Sequence, residues 1–177
     1  MELQPELITD RLILRAFTLC DSARVKELAG NKLIADVTAN IPHPYPEELA
    51  REWIQSHPEK WKNKEQANFA ITLRETGEVI GTISLMNLKE NVNEVGYWVG
   101  VDYWNNGYCT EACKKIINFG FVYLKLQKLQ AHHLTRNPAS GKVLINSGFT
   151  HVGSSEAVCG FRNISEPTEA YEIINKT

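Results

Sequence analysis

Two rhythms of apolar residues run along this chain, one of two residues and one of about 3.6, and the switches between them mark its elements. Near the start, RLILRAF (Arg11 to Phe17) is rich in branched apolar residues between charges and reads as a strand. Asp21 then caps a helix whose inward positions include Ala23, Leu28 and Ala29. Pro42, Pro44 and Pro46 keep the next stretch extended, because a proline biases the residue before it away from helix. Pro46 suits a first helical turn, with Glu47 and Glu48 favourable at its positive end and Leu49, Ala50, Trp53 and Ile54 on one apolar face.

From Asn68 the rhythm becomes that of strands. NFAITLRETGEVIGTISLM is two strands around the turn Glu75 to Glu78, and NEVGYWVGV (Asn93 to Val101) is a third, apolar enough to be central. Helical spacing returns in TEACKKIINFGFVYL, where Ala112, Ile116, Phe119, Gly120 and Tyr123 recur on one side. KLQAHHL is the next strand. RNPASGKVLINSGF is a helix with Asn137 as N-cap, Pro138 at its first position and Gly148 just past its end. Thr150 to Ser154 and Ala170 to Ile174 are the last strands, joined by a weakly patterned loop or hairpin. The expected fold is α/β: one domain over residues 1–177 with a mixed sheet of about six or seven strands and helices on both faces.

A length of 177 residues suits one domain with a substantial core. No apolar run approaches the roughly 20 residues that span a bilayer, and Met1 to Asp10 lacks the pattern of a signal peptide, so a cytoplasmic protein without membrane attachment is expected. Formal charge is −2 with dispersed lysines and arginines, which argues against nucleic acid as partner. Of the four cysteines, Cys20, Cys109, Cys113 and Cys159, only two lie close, and no CxxC or paired-histidine spacing completes a zinc site. They read as reduced, buried thiols, and no metal is expected.

Candidate chemistry centres on WNNGYCTEACKK (Trp104 to Lys115), a glycine turn between a strand and a helix with no charged residue between Trp104 and Thr110. Free N–H groups and the dipole at a helix start favour an anionic ligand, and glycine lets the backbone approach it. One such glycine is equally compatible with a purely conformational turn. His132 and His133 alternate on a strand, so they face opposite ways and cannot form a metal pair.

The order GYWVGVDYWNNGYCTEA followed by HHLTRNPASGKVLINSGF, with TDRLILRAFTLCD near the start and prolines before EELAREWI, resembles the GNAT superfamily of N-acetyltransferases. Within it the chain is similar to the branch containing the ribosomal-protein acetyltransferases RimJ and RimL. The resemblance spans essentially the whole chain. It implies that acetyl-CoA binds where two central parallel strands splay apart, with the pyrophosphate on backbone N–H groups from Asn105, Asn106, Gly107, Tyr108, Cys109 and Thr110. It places Trp98, Val99 and Val101 beside the pantetheine arm, one N–H there serving the thioester oxygen, and Asn137 near the same arm.

The family's turn normally carries charge, whereas this one has Trp104, Asn105 and Asn106 at those places; Lys142 is the candidate to replace some of it. By the same resemblance Glu94 draws the acceptor's proton, directly or through water, and Ser140 is the acid near the departing sulfur. Glu94 also suits a solvent-facing strand start, and Ser140 a plain first helical turn. The acceptor is a primary amine: a protein N-terminus, a polyamine or another small amine. His43, Tyr45, Trp53 and Trp98 are candidates for its pocket, with the loop at 42–46 shaping it. Cys109 is small enough to fill the turn, with a mixed disulfide to coenzyme A as the sharper alternative. The branch commonly forms dimers. The competing reading is a catalytically silent CoA- or acyl-CoA-binding module.

Overall fold

The structure, a computed structural model, describes residues 3–159 and 161–176, without the Cys159 side chain. Its strands are β1 (Leu7–Ile8), β2 (Leu12–Arg15), β3 (Ala67–Leu73), β4 (Val79–Met86), β5 (Asn93–Val99), β6 (Lys128–Leu134), β7 (Thr150–Cys159) and β8 (Ile164–Ile174). The helices are α1 (Ser22–Ala29), α2 (Lys32–Val37), α3 (Glu47–Gln55), α4 (His57–Lys62), α5 (Tyr108–Asn118) and α6 (Pro138–Asn146). They build one mixed sheet in the order β1-β2-β3-β4-β5-β6-β8-β7, in which, among the described residues, only β5 and β6 pair in parallel.

Strand alternation sorts the core into two layers. Phe69 and Ile71 of β3, with Ile83 and Leu85 of β4, point to the face where Ala112, Cys113 and Ile116 of α5 cover them. Ala70 and Val79 point the other way, onto Val25 and Leu28 of α1 and Ala50 and Ile54 of α3. Phe69, Ile71, Ile83 and Ile116 are fully buried, each worth roughly 1.5–3 kcal/mol relative to exposure. This double coverage is why β3 and β4 read as nearly continuous apolar runs.

Several elements depart from expectation. The sheet has eight strands, because the two-residue β1 adds to β2 and the last two strands are longer than their pattern suggests. β7 and β8 form a ladder from Thr150↔Glu172 to Cys159↔Ile164. Polar cross-strand pairs hold it, among them Ser155 with Thr168 (3.0 Å) and Ser165 with Glu156 (3.0 Å), so hydropathy hides its period. Gly160 of that stretch lies outside the described residues.

In α1 the inward residues are Val25, Leu28 and Ala29, while Ala23 is exposed. Asp21 does not cap α1 with its side chain; its carboxylate receives two bonds from Arg15 (2.9 Å each) and one from the Thr18 N–H (2.8 Å). Burial pulls that carboxyl upward, but Arg15 and Thr18 outweigh it and hold it below its ordinary value. Pro46 is the extended N-cap of α3 rather than its first helical residue. α5 continues through Phe119–Tyr123 as a π turn, in which Tyr123 is 46% exposed yet stacks on Phe119. Cys20 is exposed, contrary to a wholly buried set of thiols. Among the described residues no helix is long and apolar enough to cross a membrane.

His57 is 5% exposed, wedged between Phe17 and Trp53, and neither ring nitrogen has a hydrogen-bond partner. Burial, aided by Lys60, pushes its pKa down to about 3. The folded state therefore binds fewer protons here than the unfolded chain, whose imidazole titrates near 6.5. Stability from this group is intact above that value and is lost as pH falls toward 3. Between pH 7 and pH 5 the loss is about 2 kcal/mol. His57→Phe is expected to flatten that part of the stability–pH curve, read by urea denaturation at a series of pH values; an unchanged slope would refute the assignment.

Candidate active site

β5 and β6 pair only at Asn93↔Leu129 and Glu94↔Gln130. Beyond that point β5 follows β4, up to Gly81↔Val99, while β6 follows β8, up to Leu134↔Thr168. The strands diverge, and a cleft of about 1100 Å³ opens between them. Trp104 Nε1 donates to Val99 O (2.7 Å) whereas the Gly100 N–H turns away to Ile80 O (2.8 Å). Ladder alternation therefore leaves the peptide groups of Tyr97 and Val99 on the open edge.

One wall of the cleft is the turn into α5. Asn105 (φ 61°) and Gly107 (φ 77°) both occupy the left-handed region, and Gly107 is the N-cap. The first helical bond runs from the Glu111 N–H to Gly107 O (3.0 Å), so the N–H groups of Tyr108, Cys109 and Thr110 have no intrahelical acceptor. Asn105, Gly107, Tyr108, Cys109 and Thr110 line the cleft. Asn106 is not among the lining residues; it braces the turn, its Nδ2 donating to Trp104 O (2.9 Å). Val101 is not a lining residue either.

The turn is not without charge. Arg11 reaches it from the β1–β2 connection: Nη1 donates to Asn106 O (2.9 Å), Nε to Glu111 (2.7 Å), and the guanidinium lies 4.6 Å from the Tyr108 ring centre. Partial burial alone would raise Glu111, but Thr9 and Arg11 donate to it and hold it below its usual range. Burial raises the Cys109 thiol well above its ordinary value and the Cys113 thiol to about 11, so neither is a poised thiolate. That favours Cys109 as a filler of the turn over a disulfide partner.

The opposite wall begins at α6. Asn137 is the N-cap by position, yet its side chain makes no capping bond and lines the cleft. Ser140 and the exposed Lys142 line it too. Tyr97, absent from the sequence-derived set, spans the gap: its hydroxyl lies 3.0 Å from both Ser140 O and Ser140 Oγ. Burial keeps this phenol protonated far above its usual range.

On the other sheet face, Trp98 packs with Tyr45 and Trp53 against the core layer of α1 and α3, while Val99 belongs to the layer under α5. His43 does not line the cleft; its ring meets Gly30 O (3.0 Å). The rim comes from Val37 to Ile41 and Tyr45 rather than from the prolines. Glu94 and His132 face each other inside, Oε1 to Nδ1 3.4 Å. His133 points the opposite way, as alternation requires, and is satisfied by Leu134 O (2.7 Å) and the Tyr171 hydroxyl (3.3 Å). A strap closes the far end. Arg162 donates to Ala35 O (2.6 Å) and Thr38 O (3.0 Å), Arg136 donates to Asp36 O, and Glu166 accepts from both guanidiniums (2.6 Å each).

Residues 11–150 match the acetyltransferase (GNAT) domain. The chain belongs to the GNAT acetyltransferase family. The uncharacterized N-acetyltransferase YoaA of Bacillus subtilis (strain 168) is 30% identical over 172 residues, covering 96% of this chain and 97% of YoaA. In fold, this GNAT chain is similar to the ribosomal-protein-S5-alanine acetyltransferase of Vibrio fischeri (TM-score 0.84, 20% identity, 97% of each chain). It is also similar to the spermidine N-acetyltransferase of Vibrio cholerae, solved with CoA and spermine (TM-score 0.78, 16% identity, 94% of this chain and 96% of that one). The GNAT fold and its N-acetyltransferase relatives make this protein an acyltransferase.

The left-handed backbone at position 107 gives a direct check. Gly107→Ala meets no close atom, the nearest being Arg11 Nη2 at 3.5 Å, so its cost is conformational. A loss of about 1 kcal/mol or more is expected, with Gly107→Asn milder because asparagine tolerates this region. Equal stability of Gly107→Ala and the parent in thermal denaturation would contradict the turn geometry.

Proposed function

We propose that this enzyme transfers the acetyl group of acetyl-CoA to a primary amine by direct attack on the thioester. The observation that carries the reading is the open gap between β5 and β6, bordered by the unpaired N–H groups at the start of α5. Those N–H groups, with the dipole of α5, suit a diphosphate, and Arg11, paired with Glu111, braces the turn that presents them. The open-edge peptide groups of Tyr97 and Val99 suit an extended amide arm and an oxyanion donor. Asn137 and Lys142 supply further polar groups on the α6 wall. When bound, acetyl-CoA supplies the activated acyl carbon; the chain supplies proximity and fixed dipoles.

Two proton movements complete the reading. Glu94, in the cleft at the point of divergence, serves removal of the amine's proton. Ser140 serves the departing sulfur, and its hydrogen bond with Tyr97 fixes where its hydroxyl lies. Acceptor type changes the demand on the base. An α-amino group near pKa 8 is roughly one-tenth neutral at pH 7, a lysine near 10.4 less than about one part in a thousand. The acceptor is a peptide N-terminus, a polyamine or another small amine. The silent-module reading rests on a turn without charge, whereas here Arg11, paired with Glu111, holds the turn in a binding geometry.

A thiol-release assay with acetyl-CoA and a panel of amines, with products identified by mass spectrometry, tests the function. Turnover with at least one amine is expected; CoA binding without thiol release for any amine would favour the silent module. Glu94→Gln is expected to lower the rate more at pH 6.5 than at pH 9, where more of the amine is already neutral, and a pH-independent loss would count against a base. Ser140→Ala is expected to slow turnover with little change in acetyl-CoA affinity; undiminished turnover would reduce Ser140 to a helix-start residue.

A further inference from the structure

We propose that His132 is the group that takes the acceptor's proton, with Glu94 orienting it, an inference that rests on the acetyl-transfer reading above. The geometry comes from the sheet. Glu94 sits opposite Gln130 in the last parallel pair before the strands part, and His132, two residues further along β6, projects from the same face. The two side chains meet across the crotch of the cleft at 3.4 Å, Nδ1 to Oε1, with side-chain exposures of 40% and 34%. Both line the cavity.

Among the described residues Nε2 of His132 has no partner, whereas His133 on the opposite face is occupied at both nitrogens. A carboxylate on Nδ1 fixes the tautomer in which Nδ1 carries the hydrogen and Nε2 keeps its lone pair. The charged side chains of Lys60 and Glu156 also line this cavity. Glu172 of β8, on the same face, is held by Lys128 (3.3 Å), and Lys142 of α6 belongs to the opposite face. Among the described residues Glu94 is the charged group within pairing distance of the His132 ring.

The protons balance as follows. The ammonium form of the acceptor gives one proton to Nε2, and the imidazolium so formed is countered by Glu94. The neutral amine forms the new C–N bond at the thioester carbon. The C–S bond breaks with its electron pair on sulfur, and the second amine proton ends on that sulfur to give free CoA thiol. His132 then releases its proton to solvent. Glu94 becomes a positioning residue in this scheme, acting through the imidazole.

The test compares the full-length parent, His132→Gln, Glu94→Gln and the double variant by thiol release, with CoA affinity measured separately by titration calorimetry. Each single variant is expected to lose about a hundredfold in kcat/KM for the amine, with the double variant no worse than the poorer single one and CoA affinity unchanged. The deficit of His132→Gln should shrink from pH 6.5 to pH 9. For His132→Ala, added imidazole should restore part of the rate, a response that loss of packing would not show. His132→Gln within twofold of the parent, or a Glu94→Gln loss that His132→Gln does not share, overturns the proposal while acetyl transfer stands. A parent enzyme that binds CoA but acetylates no amine overturns both.

Discussion

A β-strand that leaves its neighbour must find other partners for its peptide groups, and this requirement organises the whole molecule. β5 and β6 share two register pairs, while on their outer edges β5 pairs with β4 at six positions and β6 with β8 at seven. The edge exposed by that divergence would be costly if left dry and unsatisfied. Trp104 answers part of the demand by donating to the Val99 carbonyl, and the Tyr97 hydroxyl ties the gap to α6. What is left over is a row of oriented polar groups inside a cleft, which is what an extended ligand with amide and phosphate groups needs.

Charge is a secondary matter at this site, and geometry comes first. Asn105 and Gly107 bend the chain through left-handed conformations so that α5 begins with its N–H groups toward the opening. Arg11 then fixes that bend by binding the Asn106 carbonyl and Glu111 together. The cation therefore braces the turn, its charge matched by the Glu111 carboxylate, without lining the cleft itself.

Elements with a strong period were legible in the sequence: the β3–β4 hairpin, β5, β6, α5 and α6 lie where alternation and helical spacing put them. The α5 turn was legible from its glycine between two elements. Arg11, Tyr97 and His132 were not recognised as parts of the site, each for a physical reason. Arg11 reaches Asn106 only through a fold that joins positions 95 apart. Tyr97 looks like any aromatic in a buried strand until the neighbouring strand departs. His132 and His133 are indistinguishable by pattern, and only the presence of Glu94 on one face separates them. The outer halves of β7 and β8 were expected as Thr150 to Ser154 and Ala170 to Ile174, but the stretch that joins them stayed unread because its serines, threonines and glutamates leave no apolar rhythm. Ala23 failed for the opposite reason, since a small apolar residue bears burial or exposure equally well.

The arginine strap joins parts of the chain that lie a hundred or more positions apart. Three carbonyls at the C-terminal end of α2 rest on guanidiniums carried by the far side of the sheet, and one carboxylate, Glu166, holds both cations in register. The rim segment after α2 and the β7–β8 hairpin are thus mechanically one body. Lengthening the hairpin or trimming α2 would therefore pull on the other through these bonds, so the shape of this entrance is set jointly by two distant stretches of the chain.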